Sequence, residues 1–548
     1  MNGVQLLLVL LGALVVTAWA RRSGRQSPLW VTAVGIAVSF LPGLDRFEID
    51  AEVILSVVVP PLLYSTALSF SLPAFKRYLR PIIGLGAGLV LATWGVMLPI
   101  TAALVPGLVG FGAWIVAAVI APPDAVTATS IGRKLGLPRR MMTVLTGESL
   151  INDAMSLTLF SLGVAAATAG AHTGFWDIMR TFGYGTVVGI AVGLAIGWVV
   201  QQIRQRLADS TMETVFGLVV PFAAYLAAEE VHGSGVIAVV AAGLYLGDRS
   251  SRINFSTRIN ERGLFEVIDV LLEALVFGYM GLQLRFVVKE VNESASPTMI
   301  WGAVLVLLIL MGVRVAFLVT VALYRRLRRA ARRRWAAGHP GYRPRRPDGV
   351  TPWGETAVIG WTGMRGVVTV AAAAGVPHTL PDGTAFPGRL EIQVVAYVVA
   401  IGTLLIQGST LPALIRRLHI SDPDEAEQLE AERKRAAQIG RQAMLDVLVD
   451  AAKNPPPDTD PRVIDMFRTQ TSRMIKAWRS SEGEQEVEHR VPESARQAMG
   501  ALRHKMILAQ RAALVAERDA GRLDDGVMRE VLEQLDLEQA AAEGHRQD

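Results

Sequence analysis

The chain has 548 residues, 51% of them hydrophobic, with a mean hydropathy of +0.37, and a soluble protein of this length needs a more polar surface than that composition leaves. It contains no cysteine, which excludes disulfides, thiolate metal sites and cysteine nucleophiles. Residues 421–548 hold 19 Lys and Arg against 26 Asp and Glu, a net −7, while residues 1–420 hold 35 against 23, a net +12; a basic surplus within an apolar region marks the cytoplasmic loops of a membrane domain rather than a nucleic-acid surface.

The apolar residues come in blocks near the roughly 20-residue length that crosses a bilayer as a helix. In chain order they occupy residues 3–20, 28–42, 49–69, 80–105, 108–132, 141–169, 181–203, 214–229, 231–247, 264–285, 298–323, 353–376 and 391–415. This predicts an all-α membrane protein of about 13 transmembrane helices. The first block reads as a span rather than a signal peptide, because no Lys or Arg precedes it. Odd-numbered connections are basic, from RRSGRQ (21–26) to the arginine-rich run over 325–347, and even-numbered ones are neutral or acidic, as in DRFEID (45–50) and HTLPDGTAF (378–386). Basic loops stay inside, so the N-terminus is expected outside and the C-terminus in the cytoplasm. The 325–347 run is expected to lie against anionic lipid.

The fifth block carries IAPPDAVTATS (120–130). Pro122 and Pro123 have no N–H, so the carbonyls of Ala118 and Val119 lose their helical partners. Freed carbonyls at membrane depth need protein, water or a cation. Asp124 sits at the break, with Thr127, Thr129 and Ser130 as further oxygens, and an intramembrane carboxylate is a functional candidate by default.

The sixth block carries TGESLINDAM (146–155). Ser149 and Asp153 are four apart and share a helix face, as do Glu148 and Asn152. The two faces lie roughly 100° apart. One carboxylate therefore points with a hydroxyl and the other with an amide. Near Glu230, His232 and Ser234 the chain is expected to turn on the external side, as an entrance or a plain loop. In the tenth block Glu266, Asp269 and Glu273 share one face, with Glu273 near the depth of Arg314 in the eleventh; a buried Glu273–Arg314 ion pair is the expectation, with Glu266 and Asp269 towards the cytoplasmic end.

The twelfth block holds GWTGMRGVVTVAAAAGV (360–376), where Gly360, Gly363 and Gly366 allow close approach or unwinding. Arg365 stays charged and needs a carboxylate; Glu148 is the expected partner, with Asn152 alongside. The interrupted fifth and twelfth blocks differ by seven positions, and an odd shift reverses orientation. They are therefore equivalents in an inverted repeat, which points to a transporter's midplane site. From Ser421 onward, charged helical stretches (423–452, 461–480, 493–520 and 524–544) surround a PPP break at 455–457. The expected division is a membrane domain over 1–418 and a soluble helical tail over 419–548.

PPLLYSTAL (60–68), PPDAV (122–126), GESLINDA (147–154), GSGVIAVVAAGLYLG (233–247), LVFGYMGLQL (275–284) and GWTGMRGVV (360–368) together resemble the monovalent cation/proton antiporters of the NhaP and sodium–proton exchanger kind, from about Pro60 to Ile415. The resemblance implies an NhaA-like antiporter fold with inverted repeats, a dimerisation region, and a core bundle in which two broken helices cross. It also implies a homodimer in the plasma membrane that exchanges Na+, or Li+ or K+, for H+. Asp153 would carry cation and proton alternately, with Asp124 beside it and Ser149 as an oxygen ligand, so that Na+ sits at these three with Thr127 near. Glu148, Asn152 and Arg365 would hold the scaffold. The Asn152–Asp153 order is the form associated with electroneutral exchange. Two departures imply a site with fewer oxygens: many relatives have Thr where Pro123 stands and an acidic residue where Ser65 stands. The expected activity is transport for pH and sodium homeostasis, not enzymatic, with no cofactor. A K+/H+ antiporter of the same mechanism and a cation channel are the alternatives, and a channel is distinguished by passing current without a proton gradient.

Overall fold

The computed structural model describes residues 3–41, 53–169, 175–207, 209–294, 297–337, 352–420, 423–454, 469 and 493–544. The DRFEID connection, the basic residues 338–347, the PPP break and all but one residue of the helix expected over 461–480 lie outside the described residues.

In lipid every backbone polar group must be satisfied within the chain, which leaves helices as the economical solution for apolar blocks such as these. Among the described residues the fold is accordingly helical, with no strand and one isolated bridge between Thr379 and Ala385. The first helices are α1 (Gly3–Arg22), α2 (Ser27–Ser39), α3 (Ile54–Ser69) and α4 (Leu79–Leu104). Next come α5 (Phe111–Ile120), α6 (Ala125–Lys134), α7 (Arg139–Ala169), α8 (Phe175–Arg204), α9 (Ser210–Glu230) and α10 (Gly235–Asp248). They are followed by α11 (Phe255–Ser294), α12 (Pro297–Ala337), α13 (Trp353–Trp361), α14 (Val367–Ala374) and α15 (Arg389–Leu418). The C-terminal region adds α16 (Pro423–Lys453), α17 (Glu493–Asp519) and α18 (Asp525–Gly544). Each apolar block holds one helix, except the fifth and twelfth, which hold the pairs α5/α6 and α13/α14. Among the described residues seven helices are long and apolar enough to cross a membrane, and several shorter apolar helices accompany them.

The chain forms two compact units, one of Met1–Arg249 with Asn260–Ser421, the other of Ser250–Ile259 with Asp422–Asp548. In the first, α5 is packed by α4, α7, α14 and α15, and α12 covers α4 and α15. The half-helix α5 is buried along almost its whole length, whereas α1, α8 and α12 expose Leu7, Leu11, Val187, Trp198, Trp301 and Leu308, as lipid-facing surfaces do. Helices α8 and α10 approach closely where Gly189, Gly193 and Gly197 line one face of α8; a β-carbon at Gly193 would collide with the backbone of Ala238. Small residues four apart are how membrane helices come into close contact. In the second unit, α16, α17 and α18 bury Ala436, Leu514, Val527 and Met528 in a small core of their own.

Candidate functional site at the crossing of two broken helices

Helix α5 ends where Pro122 and Pro123 withdraw two N–H donors, and α13 ends before the segment Thr362–Gly366. The two interruptions meet. The Asp124 amide donates to the Met364 carbonyl at 2.6 Å, and a β-carbon at Gly366 would collide with the Asp124 carboxylate, so only glycine permits this approach. The Arg365 amide donates to Thr403 Oγ1 on α15 at 2.9 Å.

The freed carbonyls are taken up by side chains. Ser156 Oγ donates to the Ala118 carbonyl at 2.8 Å. Asn152 Nδ2 donates to the Pro123 carbonyl at 3.0 Å, and Arg365 Nη1 donates to the Ala121 carbonyl. On the second broken helix, Arg314 Nε donates to the Ile359 carbonyl at 3.1 Å. Each arginine thus faces the C-terminal end of a half-helix, the negative end of its dipole.

The buried ion pair differs from the expectation. Arg314 Nη1 lies 2.6 Å from Glu148 Oε1, and both side chains are 2% exposed. Glu148 therefore pairs with Arg314 rather than Arg365, and Arg314 does not pair with Glu273. The reason is geometric: Arg365 lies in the unwound segment against the end of α5, while Arg314 on α12 reaches the Glu148 face of α7. A second buried pair, Arg204–Glu261 at 2.7 Å, joins residues that read as loop charges in the sequence. A β-carbon at Gly217 would collide with both side chains.

A cavity of about 70 Å³ opens at the crossing, and its lining includes Asp124, Ser149, Asp153, Asp269, Glu273 and Thr369. About 10–15 Å³ on this measure holds one water, so the space suits a small ion with part of its hydration. Ser149 Oγ and Asp153 Oδ2 are 3.5 Å apart, the outer limit of hydrogen bonding, and both residues are 8% exposed. Thr127 Oγ1 is 3.5 Å from Asp124 Oδ2 but is not part of the lining. Of the four residues expected to bind a cation, three reach the cavity and Thr127 stands behind Asp124. Glu148, Asn152 and Arg314 instead line a separate void of about 10 Å³ on the other side of Asp124.

Glu273 lines this cavity rather than forming a structural pair with Arg314, and Asp269 joins it, while Glu266 is exposed. Asp269 and Thr369 were not among the expected site residues; the signal for Asp269 was its i, i+4 spacing with Glu273, and Thr369, at the start of the second half-helix, carried none. Near the expected external turn, Ser234 accepts from the Ile237 amide as the N-cap of α10 and lies 3.0 Å from Thr158 Oγ1. His232 takes a left-handed backbone conformation at φ 55°, and Glu230 is exposed. The arrangement is that of a capped turn.

Residues 6–417 match the family described as "Sodium/hydrogen exchanger, transmembrane". An uncharacterised Na+/H+ exchanger of Mycobacterium bovis is 29% identical over 98% of this chain and 96% of its own length. An antiporter of Bacillus subtilis named for sodium, potassium, lithium and rubidium against H+ is 30% identical over 71% of this chain and 57% of its own. Among solved structures, a sodium proton antiporter of Methanocaldococcus jannaschii superposes with a TM-score of 0.55 at 15% identity, covering 76% of this chain and 97% of that one. At that identity the likeness shows a shared fold.

Proposed function

Because the chain belongs to the sodium/hydrogen exchanger family, we propose that it is a secondary antiporter exchanging Na+ for H+ at Asp153. One observation carries this reading: Asp153, Ser149 and Asp124 line one cavity where two broken helices cross. A carboxylate removed from water favours a bound proton or a bound cation over its empty, charged form. Proton and cation therefore compete for Asp153, and both loaded forms carry the same charge. Either can be carried across when the core helices rock against the rest of the fold, while the empty form is held back. With one transported carboxylate and Asn152 beside it, exchange is one cation for one proton and electroneutral.

The basic loops set the orientation of this reading: N-terminus outside and C-terminus in the cytoplasm. The unit is a plasma-membrane homodimer, with residues 1–418 as the transport domain and 419–548 as a soluble cytoplasmic tail. K+ is the second cation to test, because the Bacillus subtilis relative is named for K+ as well as Na+.

The experiment is proton flux in proteoliposomes under an imposed pH gradient. Wild-type protein is expected to collapse the gradient on addition of Na+, and Asp153→Asn to abolish this while inserting and purifying normally. Na+-driven flux at the wild-type rate in Asp153→Asn would refute the assignment. Current under voltage without a pH gradient would favour the channel alternative.

A further inference from the structure

We propose that Asp269, held by Ser65 and sharing its cavity with Thr369, is a second cation station in the same cavity, through which ions reach Asp153. This deepens the antiport reading and rests on it. Ser65 Oγ donates to Asp269 Oδ2 at 2.5 Å across the α3–α11 contact. That bond fixes one carboxylate oxygen. The other, Oδ1, is buried and has no hydrogen-bond partner among the described residues. A buried acceptor with no donor is costly, so the arrangement persists best where a cation or its hydration completes it.

Thr369 points to the same conclusion from α14. It is 1% exposed, and its hydroxyl has no hydrogen-bond partner among the described residues, yet it lines the cavity. A threonine inside a helix commonly donates to the carbonyl four residues before it. Thr403 does so, to Val399 at 2.8 Å, and Thr158 does so, to Ala154 at 2.7 Å. Thr369 stands third in α14, with no helical turn before it to take its hydroxyl, and its oxygen is left to the cavity. A hydroxyl and a carboxylate are the oxygen ligands that hard monovalent cations accept.

The carboxylates form a sequence through the cavity. Glu273 lies within electrostatic reach of Asp269 and Asp124, and Asp153 within reach of Asp124. Asp269 precedes Glu273 by four residues on α11, one helical turn or about 6 Å along the axis. That turn is towards the basic 248–262 connection, the cytoplasmic side in the orientation proposed above. Asp269 thus lies on the cytoplasmic side of Glu273 in the cavity it shares with Asp153. Ser65 itself carries no charge, and α11 brings the Asp269 carboxylate to it through their hydrogen bond.

The test uses the full chain in proteoliposomes, with proton flux titrated against Na+. Asp269→Asn is expected to raise the Na+ KM about tenfold and to lower kcat less than about twofold, the pattern of a binding residue remote from the exchanging group. Thr369→Val is expected to raise KM in the same direction, and Asp269→Glu to recover most of the affinity. The reciprocal variant Ser65→Asp with Asp269→Ser moves the carboxylate across the same hydrogen bond and is expected to restore KM to within about threefold of wild type. An unchanged KM in Asp269→Asn, or a fall in kcat alone, overturns the station. If Asp269→Asn is unstable in detergent, the reciprocal variant and Thr369→Val decide: wild-type KM in Thr369→Val, or no recovery in a folded reciprocal variant, overturns it. Absence of cation-driven flux in the wild-type protein would instead overturn the antiport reading itself, so the two failures are distinguishable.

Discussion

Glu148 and Arg314 lie 2.6 Å apart with both side chains nearly out of reach of solvent, so each is the other's answer to burial. Removing one partner of such a pair typically costs about 3–5 kcal/mol, because the remaining charge is left uncompensated. Glu148→Ala and Arg314→Ala are each expected to lower thermal stability in detergent strongly, and a Glu148→Leu, Arg314→Met double variant to cost less than the two singles combined. The double-mutant cycle should give a larger coupling for Glu148–Arg314 than for Glu148–Arg365; the reverse order would contradict the pairing. At this scale the sequence was partly legible. The i, i+4 rule put Ser149 with Asp153 and Glu148 with Asn152, and the structure sends those two faces to two different cavities. Glu148 was expected with Arg365 and Arg314 with Glu273, and the structure pairs Glu148 with Arg314, since helical spacing says which way a side chain leaves its own helix and nothing about which neighbouring helix it meets.

Breaks in helices were more legible than their consequences. Adjacent prolines and clustered glycines identified the fifth and twelfth blocks, because missing N–H groups and missing β-carbons act locally. The carbonyls of Ala118 and Val119 looked available to a cation; the structure gives that of Ala118 to Ser156 and to the Ala121 amide, and those of Ala121 and Pro123, at the break itself, to Arg365 and Asn152. The broken backbone at these positions is a fixed support for the oxygen-bearing side chains that line the cavity. Asn152 is the sharpest probe of this division. Its amide donates to the Pro123 carbonyl, and an ionised aspartate has no proton to donate. Asn152→Asp is therefore expected to set two oxygens against each other at the break and to destabilise the protein by about 1–3 kcal/mol, seen as a lower unfolding temperature in detergent. An unchanged unfolding temperature would mean that the break is held by other contacts. The close packing of α8 on α10 through Gly193 also went unread, because a glycine in an apolar helix carries no mark of the helix it faces.

Across the whole molecule, each of the thirteen apolar blocks holds a helix or a broken pair, since burial in lipid leaves the backbone few alternatives. The grouping of Ser250–Ile259 with the C-terminal helices was not visible in the sequence, because a basic loop residue looks the same whether it faces water or a carboxylate. Within this second unit Arg258 Nε and Nη2 donate to Asp536 at 2.8 and 2.5 Å, and Arg511 donates to the same carboxylate from α17. Burial, and then the neighbouring Arg258, push the Arg511 guanidinium below its usual value, so Asp536 is the charge that lets two arginines sit together. The exposed Arg433–Glu530 pair between α16 and α18, with side chains 49% and 38% exposed, is a natural control, since such surface pairs contribute about 0–1 kcal/mol. Asp536→Asn keeps the shape and removes the charge. It is expected to speed tryptic cleavage at Arg258 severalfold in the purified full chain, while Glu530→Gln leaves the cleavage rate near that of wild type. Equal rates in the two variants would show that apolar packing alone, such as that around Leu514 and Val527, holds this unit together.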